Sequence, residues 1–394
     1  MPIRLHHYIL LFIPFFLLFY SESIEVGSMS VSQLWKIPLF IYLIYYLFQH
    51  RHLSTPLWAQ AQYWSSLKQV FNVHNAFSVQ SILFAIKFAF LPLLFCFFNN
   101  QRWTLCTLRK VLLVVAQYFI LTNIPFLLGL KTMKTGLDYG NFVAYSGIFQ
   151  NQHAMSVIMA ICIIIILNDF NTGQFREWGS RFYNAVLVAL GAYAMYMGFA
   201  RTGWLMFLLA IIVIYMPRTL QVKQWVAIVT LMIALVGGFT YMFHTNDHFR
   251  DRIVGNDLQT HKKLNIDSGR SIYREAALDC YAQSPVVDMV VGVSYEDMSQ
   301  AIKKRVGVAL SAHNGFVEML VINGVVGLIL MLIFLFGLLA FVLRRKSCPS
   351  FRLALAMWVM FVSFQATQGG HFFHASVLYA LIFCILDRES ALES

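Results

Sequence analysis

Three side chains able to carry chemistry stand in short polar breaks of an otherwise apolar chain. They are Arg201 in F-A-R-T-G-W, Arg270 in S-G-R-S-I-Y-R-E, and His313 in S-A-H-N-G-F-V-E. A guanidinium is a planar fork that stays charged and matches phosphate oxygens two at a time. An imidazole titrates near neutrality and accepts a proton from a hydroxyl. Two forks suit an anion such as a phosphate, and one base suits a hydroxyl. Each residue also has a plainer reading. Arg201 can snorkel in a tight turn beside Gly203. Arg270 and Arg274, spaced i, i+4 on one helix face, can pair with Glu275 and Asp267, and for Arg274 that is the favoured role. An anion site is more plausible for Arg270, because free backbone N–H groups gather at a helix start. Asn314 is a good N-cap, which by itself accounts for a polar pair at the mouth of a long apolar helix.

Other polar residues carry weaker signals. Gln150, Asn151, Gln152 and His153 open an apolar run in G-I-F-Q-N-Q-H-A-M-S, where they can hydrogen-bond a sugar or cap a helix. Lys131 and Lys134 are solvated residues flanking the same face, and Lys87 can snorkel out of its span. His371 and His374 have metal-ligand spacing without a third ligand in view, so no metal is expected. Six scattered cysteines without a C-x-x-C pair argue against a disulfide framework and against a cysteine zinc site. There is no P-loop, dinucleotide fingerprint or nucleophile elbow, and no cofactor is expected.

These residues must be positioned by membrane helices. The 394-residue chain is 59% hydrophobic and only 12% charged, with a mean hydropathy of +0.66. Soluble domains carry about 25% charged residues. The composition implies an all-α polytopic membrane protein. Apolar runs fall at residues 5–20, 33–49, 81–98, 110–130, 142–168, 183–200, 202–217, 224–243, 315–343, 351–367 and 372–386. The first reads as an uncleaved span, since no small-x-small cleavage site follows it.

The net charge of +11 has no dense basic run behind it, so it reflects topology and not nucleic-acid binding. Four loops hold Arg102, Arg109 and Lys110; Arg176 and Arg181; Arg218 and Lys223; and Arg344, Arg345, Lys346 and Arg352. They alternate correctly to be cytoplasmic together. Adding a weakly apolar crossing at residues 54–73 makes twelve spans with both termini cytoplasmic. Residues 244–314 then form one large extracytoplasmic loop within a single integral membrane domain (residues 1–394). A helix is expected in that loop from Ser271 to Gln283, capped by Ser268 or Ser271 and ended by Pro285.

In order, four blocks resemble the bacterial O-antigen ligase and polymerase superfamily. They are G-I-F-Q-N-Q-H-A-M-S, A-R-T-G-W-L-M-F-L-L, S-G-R-S-I-Y-R-E-A-A-L-D and S-A-H-N-G-F-V-E-M-L-V-I-N-G-V-V-G-L. The likeness is firm over residues 140–343. In the first block Gln152 and His153 stand where the family often has Pro-Asn. The resemblance implies a metal-independent GT-C type glycosyltransferase in the bacterial inner membrane, with its active site facing the periplasm. The donor it implies is a glycan on undecaprenyl pyrophosphate. The acceptor is lipid A-core for a ligase, or a growing glycan for a polymerase. It would place Arg201 and Arg270 on the donor pyrophosphate and His313 against the acceptor hydroxyl, with Arg274, Asn314, Asn151, His153 and Lys131 as further substrate-binding residues. Ligase is the favoured member, with polymerase as the alternative. A polysaccharide-lipid transporter is the alternative from another class; the polar candidates gathering at one face, and the lack of repeats, speak against it.

Overall fold

The computed structural model describes residues 25–26, 29–30, 36–49, 55–71, 79–129, 145–149, 152–171, 177–198, 200–216, 222–247, 250, 270–307, 310–369 and 373–393. The apolar runs on these residues are helical, except that the run expected at 142–168 begins with a 3-10 turn at Gly147–Phe149 and becomes α-helical only from Gln152; the run at 5–20 lies outside them. The helices are α1 (Lys36–Gln49), α2 (Leu57–Val70), α3 (Val79–Asn100), α4 (Leu105–Leu121), the single turn α5 (Ile124–Leu127), α6 (Gln152–Asn171), α7 (Trp178–Gly198), α8 (Arg201–Tyr215) and α9 (Val222–Thr245). They continue with α10 (Arg270–Ala282), α11 (Val286–Val291), α12 (Tyr295–Val306), α13 (Gly315–Leu343), α14 (Phe351–Thr367) and α15 (Phe373–Glu393). A two-residue antiparallel pairing, Glu25–Val26 with Met29–Ser30, is the β-structure among the described residues. The protein is an all-α membrane protein. Stretches 105–127, 152–170 and 315–343 are each long and apolar enough to cross a bilayer.

Side-chain pattern decides which helices are central. In α6, residues 157–166 are buried on every side, as is the stretch 373–386 of α15. A helix that is apolar all round belongs in the middle of a bundle. By contrast α13 leaves Val325, Val326, Ile329, Ile333 and Phe336 exposed along one face.

The weakly apolar segment near residues 54–73 owes its low hydropathy to a buried polar face. Gln62, Ser65, Ser66 and Gln69 of α2 are buried, and the helix packs between α3 and α13. It runs antiparallel to α13. Trp58 lies against Gly337, whereas Lys68 bonds Asn323 Oδ1 at 3.3 Å. The ten residues between those contacts make α2 follow α13 for about 15 Å.

One end of the bundle is tied by charge. Arg109 pairs with Glu389 at 2.6 Å, and Arg345 with Asp387 at 2.5 Å. Glu389, only 3% exposed, also accepts bonds from the Ser350 backbone N–H (2.8 Å) and hydroxyl (2.6 Å). Arg352 donates to the Ile214 carbonyl at 3.0 Å. That contact joins the end of α8 to the start of α14, so the two helices are antiparallel. Arg201, the first residue of α8, therefore lies at the level where α14 ends.

Candidate functional site

The end of α14 is the scaffold of the site. A helix leaves its last carbonyls without intrahelical partners, at the negative end of its dipole. Three consecutive residues there are taken up by three different side chains. The Asn314 amide donates to the Ala366 carbonyl at 2.8 Å. The Arg270 guanidinium donates through Nη1 to the Thr367 carbonyl at 3.0 Å. The imidazole Nδ1 of His313 lies 3.2 Å from Gln368 Oε1. Residues 43 positions apart in sequence thus converge on one helix terminus.

The local structure holds each in place. Arg270 is the first residue of α10, so the helix begins there and not at Ser271, which lies inside it. The helix stops at Ala282, one residue before the expected Gln283, and Pro285 caps the next helix. Arg274 sits one turn along, its Nε donating to the Arg270 carbonyl at 3.3 Å. The expected pairing of Glu275 with these arginines is replaced: Glu275 and Asp279 hold Arg305 of α12, at 3.2 and 2.8 Å. Asp267 lies outside the described residues.

Asn314 is the N-cap of α13 as its type implied, accepting from Phe316 N–H (3.0 Å) and Val317 N–H (3.1 Å). His313, immediately before it, has φ of 50°, the one positive value among described non-glycine residues. A left-handed conformation at a side-chain-bearing residue costs roughly 1–3 kcal/mol and persists only where its surroundings impose it. Glu318, on the first turn of α13, supplies that constraint. Its Oε1 accepts the His313 backbone N–H at 3.1 Å, and its carboxylate also takes the Ser311 hydroxyl. A side chain at Gly369 would come within 3.0 Å of its other oxygen, so the carboxylate is wedged against the end of α14. The charge of Lys87 on α3 acts on it as well. Sequence reading missed Glu318 and Gln368. The signal for Glu318 was present, because it is the sole charged residue of the 29-residue apolar helix α13.

The imidazole is half-buried beside the Tyr273 ring, with centroids 5.9 Å apart. Burial, and next the Arg270 charge, hold its pKa below the ordinary 6.5, while the Gln368 bond pulls it partly back. Neutral imidazole is therefore the favoured form at pH 7.

Arg201 opens α8 after Ala200, whose carbonyl receives the Ser156 hydroxyl of α6 at 3.5 Å. Gly203 permits this approach, since a Cβ there would fall 1.9 Å from Ser156 Oγ. His153 lies three residues before Ser156, on the same face of α6 and half-buried. His374 packs instead among Phe119, Phe149 and Phe373, with centroids 5.3–5.7 Å away. Asn151, Lys131 and His371 lie outside the described residues.

Residues 186–332 match the family model described as O-antigen ligase. Over that stretch the chain is similar to the O-antigen ligase and polymerase superfamily. No curated protein matches the chain. The matched stretch contains Arg201, Arg270, Arg274, His313, Asn314 and Glu318, whereas Lys131, Asn151, His153 and Gln368 fall outside it. The matched stretch thus takes in both segments that the end of α14 brings together.

Proposed function

We propose that this protein transfers a glycan from undecaprenyl pyrophosphate to an acceptor hydroxyl at the periplasmic face of the inner membrane, as an O-antigen ligase acting on lipid A-core. The observation that carries the reading is the meeting of Arg270 and His313 at the end of α14, on the Thr367 carbonyl and the Gln368 side-chain amide, with Arg201 at the same level. The reaction needs no metal in this scheme. The acceptor oxygen attacks the anomeric carbon as the bond from that carbon to the pyrophosphate oxygen breaks. The pyrophosphate keeps the electron pair, and Arg201 and Arg270 neutralise it. With Gln368 Oε1 accepting, Nδ1 of His313 carries its hydrogen and Nε2 receives the acceptor's proton. Arg274 and Asn314 hold Arg270 and the helix mouth in register. His153, with Lys131 and Asn151, is assigned to the sugar or the phosphates.

Charge distribution supports the orientation. Arg109, Arg345, Arg352 and Arg388 tie the opposite end of the bundle, and cytoplasmic flanks collect such residues. The site then faces outward, and α2 serves as the extra crossing of a twelve-span topology with residues 244–314 outside. Deletion of the protein, followed by a gel of surface polysaccharide, tests the reading. A ligase loses every long chain from lipid A-core while carrier-linked polymer persists. Survival of a single repeat on the core would make it a polymerase instead, and an unchanged ladder would exclude both.

Glu318 acts in this scheme by holding His313 in its left-handed conformation. Glu318→Ala is expected to lower kcat about 10–10²-fold with little change in KM, because small displacements of a reacting group are that costly. Glu318→Gln keeps a carbonyl acceptor for the His313 N–H and should recover most of the loss. Kinetics in proteoliposomes decide; equal defects in the two variants would assign Glu318 a different task.

A further inference from the structure

Helix α11 presents an apolar face on which nothing packs among the described residues. Val286, Val287 and Val290 are 76%, 66% and 45% exposed, and their i, i+4 and i, i+3 spacing puts them on one side. The other side is pinned to α13 where that helix breaks. Gly324 there has φ of 65° and ψ of −170°, outside helical space and natural only to glycine. The break frees the Val321 carbonyl, which accepts the Val293 N–H at 2.8 Å. Gly292, with φ of 92°, lies so close that a Cβ would sit 2.1 Å from the Ile322 carbonyl oxygen. Lys68 of α2 reaches the same knot, donating to the Val291 carbonyl and to Asn323 Oδ1.

The level of this knot identifies what meets the valines. From Gly324 to Leu343, the end of α13, the helix rises about 29 Å. The hydrocarbon core of a bilayer is about 30 Å thick. Arg344, Arg345 and Lys346 follow directly, marking one boundary, so Gly324 and α11 stand at the other. Below them Val325, Val326 and Ile329 are 42%, 39% and 49% exposed on α13, the face that a span turns to lipid. The backbone of α11 meets α13 at the top of that strip, where a Cβ on Gly324 would fall 2.2 Å from the Val290 carbonyl oxygen.

We propose that α11 is an interfacial anchor whose three valines enter the acyl-chain region of the leaflet on the site's side. Through Tyr281, which donates to the Met289 carbonyl at 2.8 Å, the anchor sets the depth of α10 and so of Arg270. The proposal stands apart from the transfer chemistry and survives its failure.

The test uses the full chain in lipid nanodiscs, with Cys106→Ser and Cys280→Ser removing the thiols that are not buried. Val287→Cys, or in a second protein Val290→Cys, carries an environment-sensitive fluorophore; Glu296→Cys on the exposed side of α12 is the reference. Labels at 287 and 290 should emit at shorter wavelength than at 296. Lipids bearing a nitroxide high on the acyl chain should quench them several-fold more strongly, and aqueous iodide several-fold less. Iodide quenching equal to that at 296 would overturn the anchor. So would labels shielded from both quenchers until discs hold a single copy, since a second chain would then cover the face.

Discussion

Arg270→Ala is expected to lower glycan transfer by about 10²–10³-fold, the usual cost of removing one group aimed at developing negative charge. The guanidinium has five N–H donors, of which Nη1 is committed to the Thr367 carbonyl. That bond orients the plane in which the fork would meet a diphosphate. Lysine brings charge without the fork, and Arg270→Lys should restore little. A purely structural role predicts a different pattern, in which protein yield and melting temperature fall together with activity. Arg305→Ala is the matched control. Arg305 bonds Glu275 and Asp279 on an exposed surface, where such pairs contribute under about 1 kcal/mol. It should leave transfer within two-fold. Normal transfer by Arg270→Ala in purified, folded protein would remove the phosphate clamp from the scheme.

His313→Ala is expected to cost about 10²–10⁴-fold, the range for loss of a general base. The pH profile supplies the sharper test. Only neutral imidazole accepts a proton. Burial and the Arg270 charge disfavour the imidazolium, so the group stays neutral to lower pH than a free histidine. Activity should hold level through neutrality and fall only on the acid side of 6.5, as His313 takes up a proton. In Arg270→Ala the residual activity should lose its acid limb at higher pH, because a nearby positive charge is gone. A wild-type limb above 6.5, or one unmoved in Arg270→Ala, would mean that another group takes the acceptor's proton.

Much of the scaffold was legible in the residues. Apart from the run at 142–168, whose α-helix starts only at Gln152, the apolar runs gave helix positions close to those of the described residues, because lipid allows a backbone few ways to satisfy its polar groups except as helix. The segment at 54–73 was harder. Its glutamines and serines look soluble until α3 and α13 are seen to cover them. The 315–343 run reads as one uniform span, yet it breaks at Gly324, and only the packing of Gly292 and Lys68 explains why the break is tolerated. Arg201, Arg270 and His313 stood out because charge in an apolar chain is costly and therefore informative. Glu318 and Gln368 did not stand out, since each acts by touching something distant in sequence.

Hydropathy and charge along the chain determined that this is a helical membrane protein, where its helices lie, and which three side chains are candidates for chemistry. Those properties follow from each segment's own exchange with lipid and water, which needs no knowledge of neighbours. The end of α14 determined the rest. It joins Asn314, Arg270 and His313 on three successive residues, and Glu318 holds the histidine in a conformation it would not choose alone. Such choices depend on which helix ends meet, and that is a property of the packed bundle rather than of any one segment.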